Sequence, residues 1–275
     1  MQVPNSKYHA HRALILASLA DGTSRISGLS DAKHVHHTMS LLRSLGVHIE
    51  TKGTDLEVHG GAYRAAKDTV SAGSSGTTLY FMTGLVSLAD RDVVVTGQKY
   101  FTRRPIAPLL DALRQMGVSV DSPNDCPPIR VGARPPTGGE VHIDGTLSQW
   151  ISGLLLLAPF ATGPTTIVVD GALNERHYLE LTLQMMKQFG LQVEVTDGGH
   201  RYLVEPQQRA QPTHVVLPAD IGSAAFGFAA AGTHPADIVL RGLHHTRTSG
   251  VDHPEASLLD ILARMGMPMA YDEHA

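Results

Sequence analysis

The chain has 275 residues, 42% hydrophobic and 17% charged, with a formal net charge of -4 and a pI near 6.4. That balance suits one large globular domain or two smaller ones and speaks against a nucleic-acid partner, which would need a basic face. The longest apolar run, Gly153 to Ala161, is too short to span a membrane, the start carries no apolar leader, and the single Cys126 can form no internal disulfide. A cytoplasmic protein is therefore expected, with no membrane partner.

In chain order, four small-residue, apolar stretches read as helices: 12–20, 77–89, 150–161 and 224–231. After each comes an extended stretch closed by glycine: TSRISG, VVVTG, TIVVDG and DIVLRG. Next comes an amphipathic helix that also stops at glycine: LLRSLGVHIE, LDALRQMGVSV, LQMMKQFGLQVE and LLDILARMGMPM. Glycine at this point is the left-handed cap that ends a helix, and Gly46, Gly117, Gly190 and Gly266 recur at near-equal intervals. Further strands are expected at 55–59, 129–131 and 201–204. The chain is thus an α/β (α+β) protein built from four copies of one unit.

In each unit the first helix is apolar nearly all round and should be buried, whereas the second carries a polar face through Arg43, Arg114, Lys187 or Arg264. The starts of the first helices, NSKYHAHR, AGSSGTTLY, GTLSQW and ADIGSAA, each offer Ser, Asn or Asp as an N-cap. Helix N-termini attract anions through free N–H groups and the helix dipole. If the units surround an approximate threefold axis, several such ends converge on one site for a carboxylate or phosphate.

These stretches resemble a known family. PNSKYHAHRALILASLADGTSRISGL is similar to the first-unit motif of EPSP synthase (3-phosphoshikimate 1-carboxyvinyltransferase), and SAGSSGTT, RRPIAPLLDALRQMG, LSQWISGLLLLAP and ADIGSAAFGFAAAG match later motifs in order and spacing. The resemblance implies βαβαββ units of the enolpyruvyl transferase fold, about four of the usual six. Residues 1–208 would form a three-unit lobe binding the shikimate-type substrate, and 209–275 a fourth unit, the remnant of the second lobe.

On the same resemblance, Lys7, Arg12, Ser148, Gln149 and Tyr178 match substrate-binding positions. Tyr8 replaces a motif serine, Leu147 the first serine of S-S-Q, and Glu175 a serine that holds the substrate phosphate. Tyr80 and Tyr100 replace two arginines on the phosphoenolpyruvate side, where Arg104 remains. Losing two charge-assisted contacts of roughly 1.5–3 kcal/mol each would weaken phosphoenolpyruvate binding by orders of magnitude. A carboxylate at the phosphate position would repel a phosphorylated ring by about 1 kcal/mol or more.

Histidines His9, His11, His34, His36 and His37 crowd the first unit, and His34 falls at a family carboxylate position beside the pocket. A histidine titrating near neutrality can give or take protons. The expected chemistry is therefore acid–base elimination or dehydration of a shikimate-type acid in a secondary pathway. Lys7, His34 and Glu175 would be catalytic, and Lys7, Tyr8, Arg12, Tyr80, Tyr100, Arg104, Ser148, Gln149 and Tyr178 would bind substrate. The alternatives are phosphoenolpyruvate-dependent carboxyvinyl transfer completed by a partner chain, and a non-catalytic binding protein. No cofactor and no metal site are expected, since His34 and His37 lack a further ligand at metal-binding spacing. A homo-oligomer or a complementing chain is the expected assembly.

Overall fold

In the computed structural model, residues 1–234, 237–243 and 253–270 are described. The first unit runs through α1 (Lys7–Leu19), β1 (Thr23–Ser27), α2 (Lys33–Ser44), β2 (His48–Lys52) and β3 (Asp55–His59). The second runs through β4 (Thr69–Ser71), α3 (Gly76–Leu85), β5 (Val93–Thr96), α4 (Ala107–Gln115), β6 (Val120–Asp121) and β7 (Ile129–Val131). The third runs through β8 (Gly139–Asp144), α5 (Ser148–Leu157), β9 (Thr165–Asp170), α6 (Arg176–Gln188), β10 (Glu194–Thr196) and β11 (Arg201–Val204). Beyond them lie β12 (His214–Val216), α7 (Ile221–Thr233) and α8 (Ser257–Arg264).

Three four-stranded sheets share one connectivity: β4-β5-β7-β6, β8-β9-β11-β10 and β12-β1-β3-β2. In each, the first two strands are parallel and the rest antiparallel. The first sheet is completed from far along the chain. Strand β12, inside the stretch expected to open the fourth unit, pairs in parallel with β1, Ile26 opposite Val215. The start of the chain is tied in similarly, since Val3 N–H donates to Arg241 O and Arg241 N–H to Met1 O.

The apolar helices α1, α3 and α5 lie inside, as their all-round hydrophobicity dictates; ten of the thirteen residues of α1 are buried. Small residues permit close helix contact. A Cβ on Gly153 of α5 would come within 2.7 Å of Tyr80 O on α3. The amphipathic α2, α4 and α6 bury one face each, with Leu41, Leu42, Leu109, Leu113, Met185 and Met186 inward. The glycines that end them adopt positive φ, 85° at Gly46 and 78° at Gly190, where an L side chain is strained. Among the described residues no helix is long and apolar enough to cross a membrane.

Candidate functional site

The N-termini of α1, α3, α5 and α7 begin at Lys7, Gly76, Ser148 and Ile221. Expected side-chain caps form on two of them. Ser75 Oγ accepts from Thr78 N–H at 3.1 Å, and Asp220 Oδ1 from Ser223 N–H at 2.8 Å. The α5 position is Leu147, which cannot cap, and Ser6 ahead of α1 turns its Oγ to His9 Nδ1 at 3.0 Å.

At the head of α1, Lys7 Nζ lies 5.0 Å from the centre of the Tyr8 ring. Tyr8 packs edge-on against Tyr178, ring centres 5.0 Å apart. Both hydroxyls donate to one carboxylate oxygen, Glu255 Oε1, at 3.1 Å from Tyr8 and 2.7 Å from Tyr178. The other oxygen, Glu255 Oε2, is buried and has no hydrogen-bond partner among the described residues. Burial raises the Tyr8 hydroxyl to about 12, and burial with the bond to Glu255 raises Tyr178. Both therefore remain proton donors at neutral pH.

Beside them, His9 stacks on His253 with centres 5.7 Å apart. Both are buried, and burial lowers both, His9 to about 3. Neither Nε2 finds a partner among the described residues. Asp220, His253 and Glu255 place ligand-type atoms within 4.8 Å of one another. His253 Nδ1, however, accepts from Glu255 N–H at 3.2 Å. That bond puts the neutral ring's proton on Nε2 and leaves it a donor rather than a metal ligand.

The expected anion ligand Arg12 is not open to this end. It is 2% exposed, donating from Nε to Thr182 Oγ1 at 2.8 Å and from its terminal nitrogens to Tyr8 O and Tyr178 O at 3.0 and 3.1 Å. Its guanidinium lies 5.0 Å from the Phe81 ring centre. Burial lowers it to about 9, so it stays charged, satisfied by neutral acceptors. Arg12 thus locks α1 to α6 and holds the backbone behind both tyrosines.

The other expected residues lie near the starts of helices α2 to α6. Ser148 Oγ donates to Glu175 Oε2 at 2.7 Å, and Gln149 Nε2 to Thr77 Oγ1 at 3.0 Å. Glu175 is exposed and precedes α6 with φ 53°, a left-handed backbone for a non-glycine residue. Tyr100 donates to Ser74 O at 2.7 Å, and His37 Nε2 meets Ser74 Oγ at 3.0 Å. Tyr80 is buried against Trp150 and raised by burial, with the charge of exposed Arg104 opposing that shift. His34 is exposed, and partial burial and then Lys7 lower it. His11 is not a site base: it is buried, Nδ1 2.7 Å from Thr38 Oγ1, and lowered by burial to about 3. A hollow of about 490 Å³ beside Leu19, Tyr63, Leu88 and Phe160 lies at the other end of α1 and holds no comparable cluster.

Glu255 was not among the residues expected from the sequence. The signal was positional. Each unit's second helix starts at this end, near His34, Arg104 and Glu175, and Glu255 stands in the same place before α8.

The three matching sheets around buried helices are those of the enolpyruvyl transferase fold. The model for EPSP synthase (3-phosphoshikimate 1-carboxyvinyltransferase) matches residues 1–275, so the chain belongs to the EPSP synthase family. It is 34% identical over 279 residues to 3-phosphoshikimate 1-carboxyvinyltransferase of Marinomonas sp., covering 98% of this chain and 64% of the relative. It is also 34% identical over 271 residues to that of Methanospirillum hungatei, covering 96% and 62%. The solved EPSP synthase of Acinetobacter baumannii superposes with TM-score 0.79 at 27% identity, over 97% of this chain and 59% of that one. The enolpyruvyl transferase NikO of Streptomyces tendae shares the fold, with TM-score 0.71 at 20% identity. This chain therefore spans less than two thirds of the length of these relatives. The relatives are carboxyvinyltransferases, and none of these findings supports the expected lyase or dehydratase chemistry.

Proposed function

We propose that this chain is the acceptor-binding portion of an enolpyruvyl transferase. It presents a hydroxyl of a shikimate-type ring acid to phosphoenolpyruvate. The acceptor oxygen bonds to C2 of the enolpyruvyl group, the bond from C2 to the phosphate oxygen breaks, the hydroxyl proton goes to a base, and inorganic phosphate leaves. The remaining binding groups for phosphoenolpyruvate come from the part of the fold that this chain does not span, in the same or another polypeptide. One observation carries the reading. Lys7, Tyr8, Tyr178 and Glu255 join a cation, two hydroxyl donors and a carboxylate at the helix-end surface. Lys7 suits the ring carboxylate, and Glu255 is the assigned base.

The Ser148–Glu175 bond favours an acceptor without a phosphate, because it occupies the serine and adds a negative charge where a phosphate would sit. The single buried thiol, Cys126, fits a reducing cytoplasm.

Phosphate release tests the proposal. The chain, phosphoenolpyruvate and shikimate are incubated with and without a polypeptide carrying the remaining length of a relative. Release is expected only with the complement, and Glu255→Gln should lower it by about 10²–10⁴, the usual contribution of a positioned base. Shikimate should bind better than shikimate-3-phosphate, and Glu175→Ser should improve the latter about fivefold or more, for a relieved repulsion of about 1 kcal/mol. Absence of both acceptor binding and complemented release overturns the assignment.

A further inference from the structure

The hairpin of β2 and β3 carries three metal-type side chains on the outer face of the first sheet. His48 and His59 stand directly opposite each other, and Glu50 follows on the same face two residues beyond His48. The two ring centres are 5.1 Å apart. His48 Nε2 lies 2.6 Å from Glu50 Oε1, and one ligand atom from each residue falls within 4.8 Å of the others. The cluster borders the C-terminal end of α1, because a Cβ on Gly60 would meet the carbonyls of Ala17 and Ala20. It therefore stands at the opposite end of that helix from Lys7, about 20 Å away for thirteen residues at 1.5 Å each.

His59 is the decisive residue. Its Nδ1 meets Thr23 Oγ1 at 3.0 Å on the neighbouring strand. In the tautomer whose Nδ1–H donates to that hydroxyl, Nε2 presents a bare lone pair, the second-sphere arrangement of ligating histidines. That Nε2 is covered and has no partner among the described residues. Glu50 contributes a carboxylate whose Oε1 faces His48 Nε2 and whose Oε2 faces Lys52 Nζ. Ligands about 2.0–2.2 Å from one ion sit about 3.4 Å apart in a tetrahedron, so closing the set needs about an ångström of movement by half-exposed side chains. Two imidazoles and a carboxylate suit zinc and its neighbours better than magnesium or calcium.

We propose that His48, His59 and Glu50 form a zinc-class metal site with one open position, clipping β2 to β3 away from the substrate end. Lys52, 2.9 Å from Glu50 Oε2, swings into solvent as the ion takes over the neutralising charge. No regular spacing announces such a site in the sequence, because the hairpin register, not helical periodicity, brings the ligands together.

Cobalt is the direct probe. Untagged full-length chain, freed of metal with a chelator, is titrated with Co²⁺ alone and followed by visible d–d absorption; Zn²⁺ is then added as competitor. One Co²⁺ per chain with tetrahedral-type bands, displaced by Zn²⁺, is expected. His59→Gln and His48→Gln should each weaken binding about tenfold or more, since loss of even a supporting residue costs 10–100-fold. His142→Ala, beside Glu140 and Asp170 on another sheet, should leave the affinity unchanged. Circular dichroism checks that the variants fold, which their exposure favours. Absence of a Co²⁺ spectrum in the unaltered chain overturns the site, and so does full retention of binding in the His48→Gln/His59→Gln double variant.

Discussion

Helix α5 and helix α7 open with similar apolar, small-residue sequences, yet they have opposite surroundings. Eight of the ten residues of α5 are buried, between α3 and α6, and Leu154 to Leu157 are fully enclosed. In α7 only Ile221, Ala224 and Gly227 of thirteen are buried, and Phe226 is 81% exposed. The second helices repeat the contrast. Helix α6 buries Leu179, Leu181, Met185 and Met186, whereas α8 buries none of its residues and Met265 just beyond it is 76% exposed. An apolar face states what a helix needs to cover it; it does not state that the cover lies in the same stretch of chain. Among the described residues nothing covers the exposed face of α7 and α8.

The strongest way to break this comparison is to truncate one large side chain on each side of it. Leu155→Ala leaves a cavity in a close-packed core and should cost about 2–5 kcal/mol. Phe226→Ala removes a ring that water already reaches, and should stay within about 0.5 kcal/mol. Urea unfolding of both variants gives the two numbers. Equal losses would mean that α7 is packed in solution, through self-association or a further polypeptide, and repeating the measurement across protein concentration separates those causes.

Acid sharpens the contrast next. His9 and His11 are both held near 3 by burial, against an ordinary value near 6.5. Below 6.5 the unfolded chain takes up these protons while the folded chain does not, so stability falls with pH until about 3. Above 6.5 both states are neutral and the two residues contribute no slope. Each could cost about 2 kcal/mol by pH 5, at 1.36 kcal/mol for every unit below 6.5. A series of urea midpoints from pH 7 to 5 should therefore fall steadily, and His11→Gln, which keeps a polar partner for Thr38, should flatten the fall. An unchanged slope in that variant would place the acid sensitivity elsewhere.

Much of this fold was legible because its signals are local. Helix-ending glycines at Gly46, Gly117, Gly190 and Gly266 all show positive φ, and the expected strands at 55–59, 129–131 and 201–204 form over those residues. Strand β12 was not legible as a member of the first sheet, because its partner β1 lies nearly two hundred residues earlier and no local pattern encodes such pairing. Of the candidate site, the sequence made legible only that some of its residues would be neighbours. Lys7, Tyr8 and Tyr178 do meet, but Arg12 turns inward, since a cation one turn into a fully buried helix finds backbone acceptors before it finds solvent. Glu255 escaped because its meaning depends on which helix end it approaches in space.

The smallest expected effect asks whether the same local device acts globally or locally. Ser75 caps α3 and Asp220 caps α7 with equivalent side-chain bonds, and replacing either by alanine should remove about 1 kcal/mol from its own helix. The consequences should diverge. Helix α3 is enclosed, so it cannot fray without opening the core, and Ser75→Ala should lower the global urea midpoint by that whole amount. Helix α7 is largely exposed, so Asp220→Ala should speed amide exchange within 221–233 while the midpoint of the lobe hardly moves. Parallel losses of global stability would show that α7 unfolds with the lobe, joined to it through the strand pairing of β12 and the bonds between residues 1–3 and 239–241, and the contrast between the two regions would then be one of exposure alone.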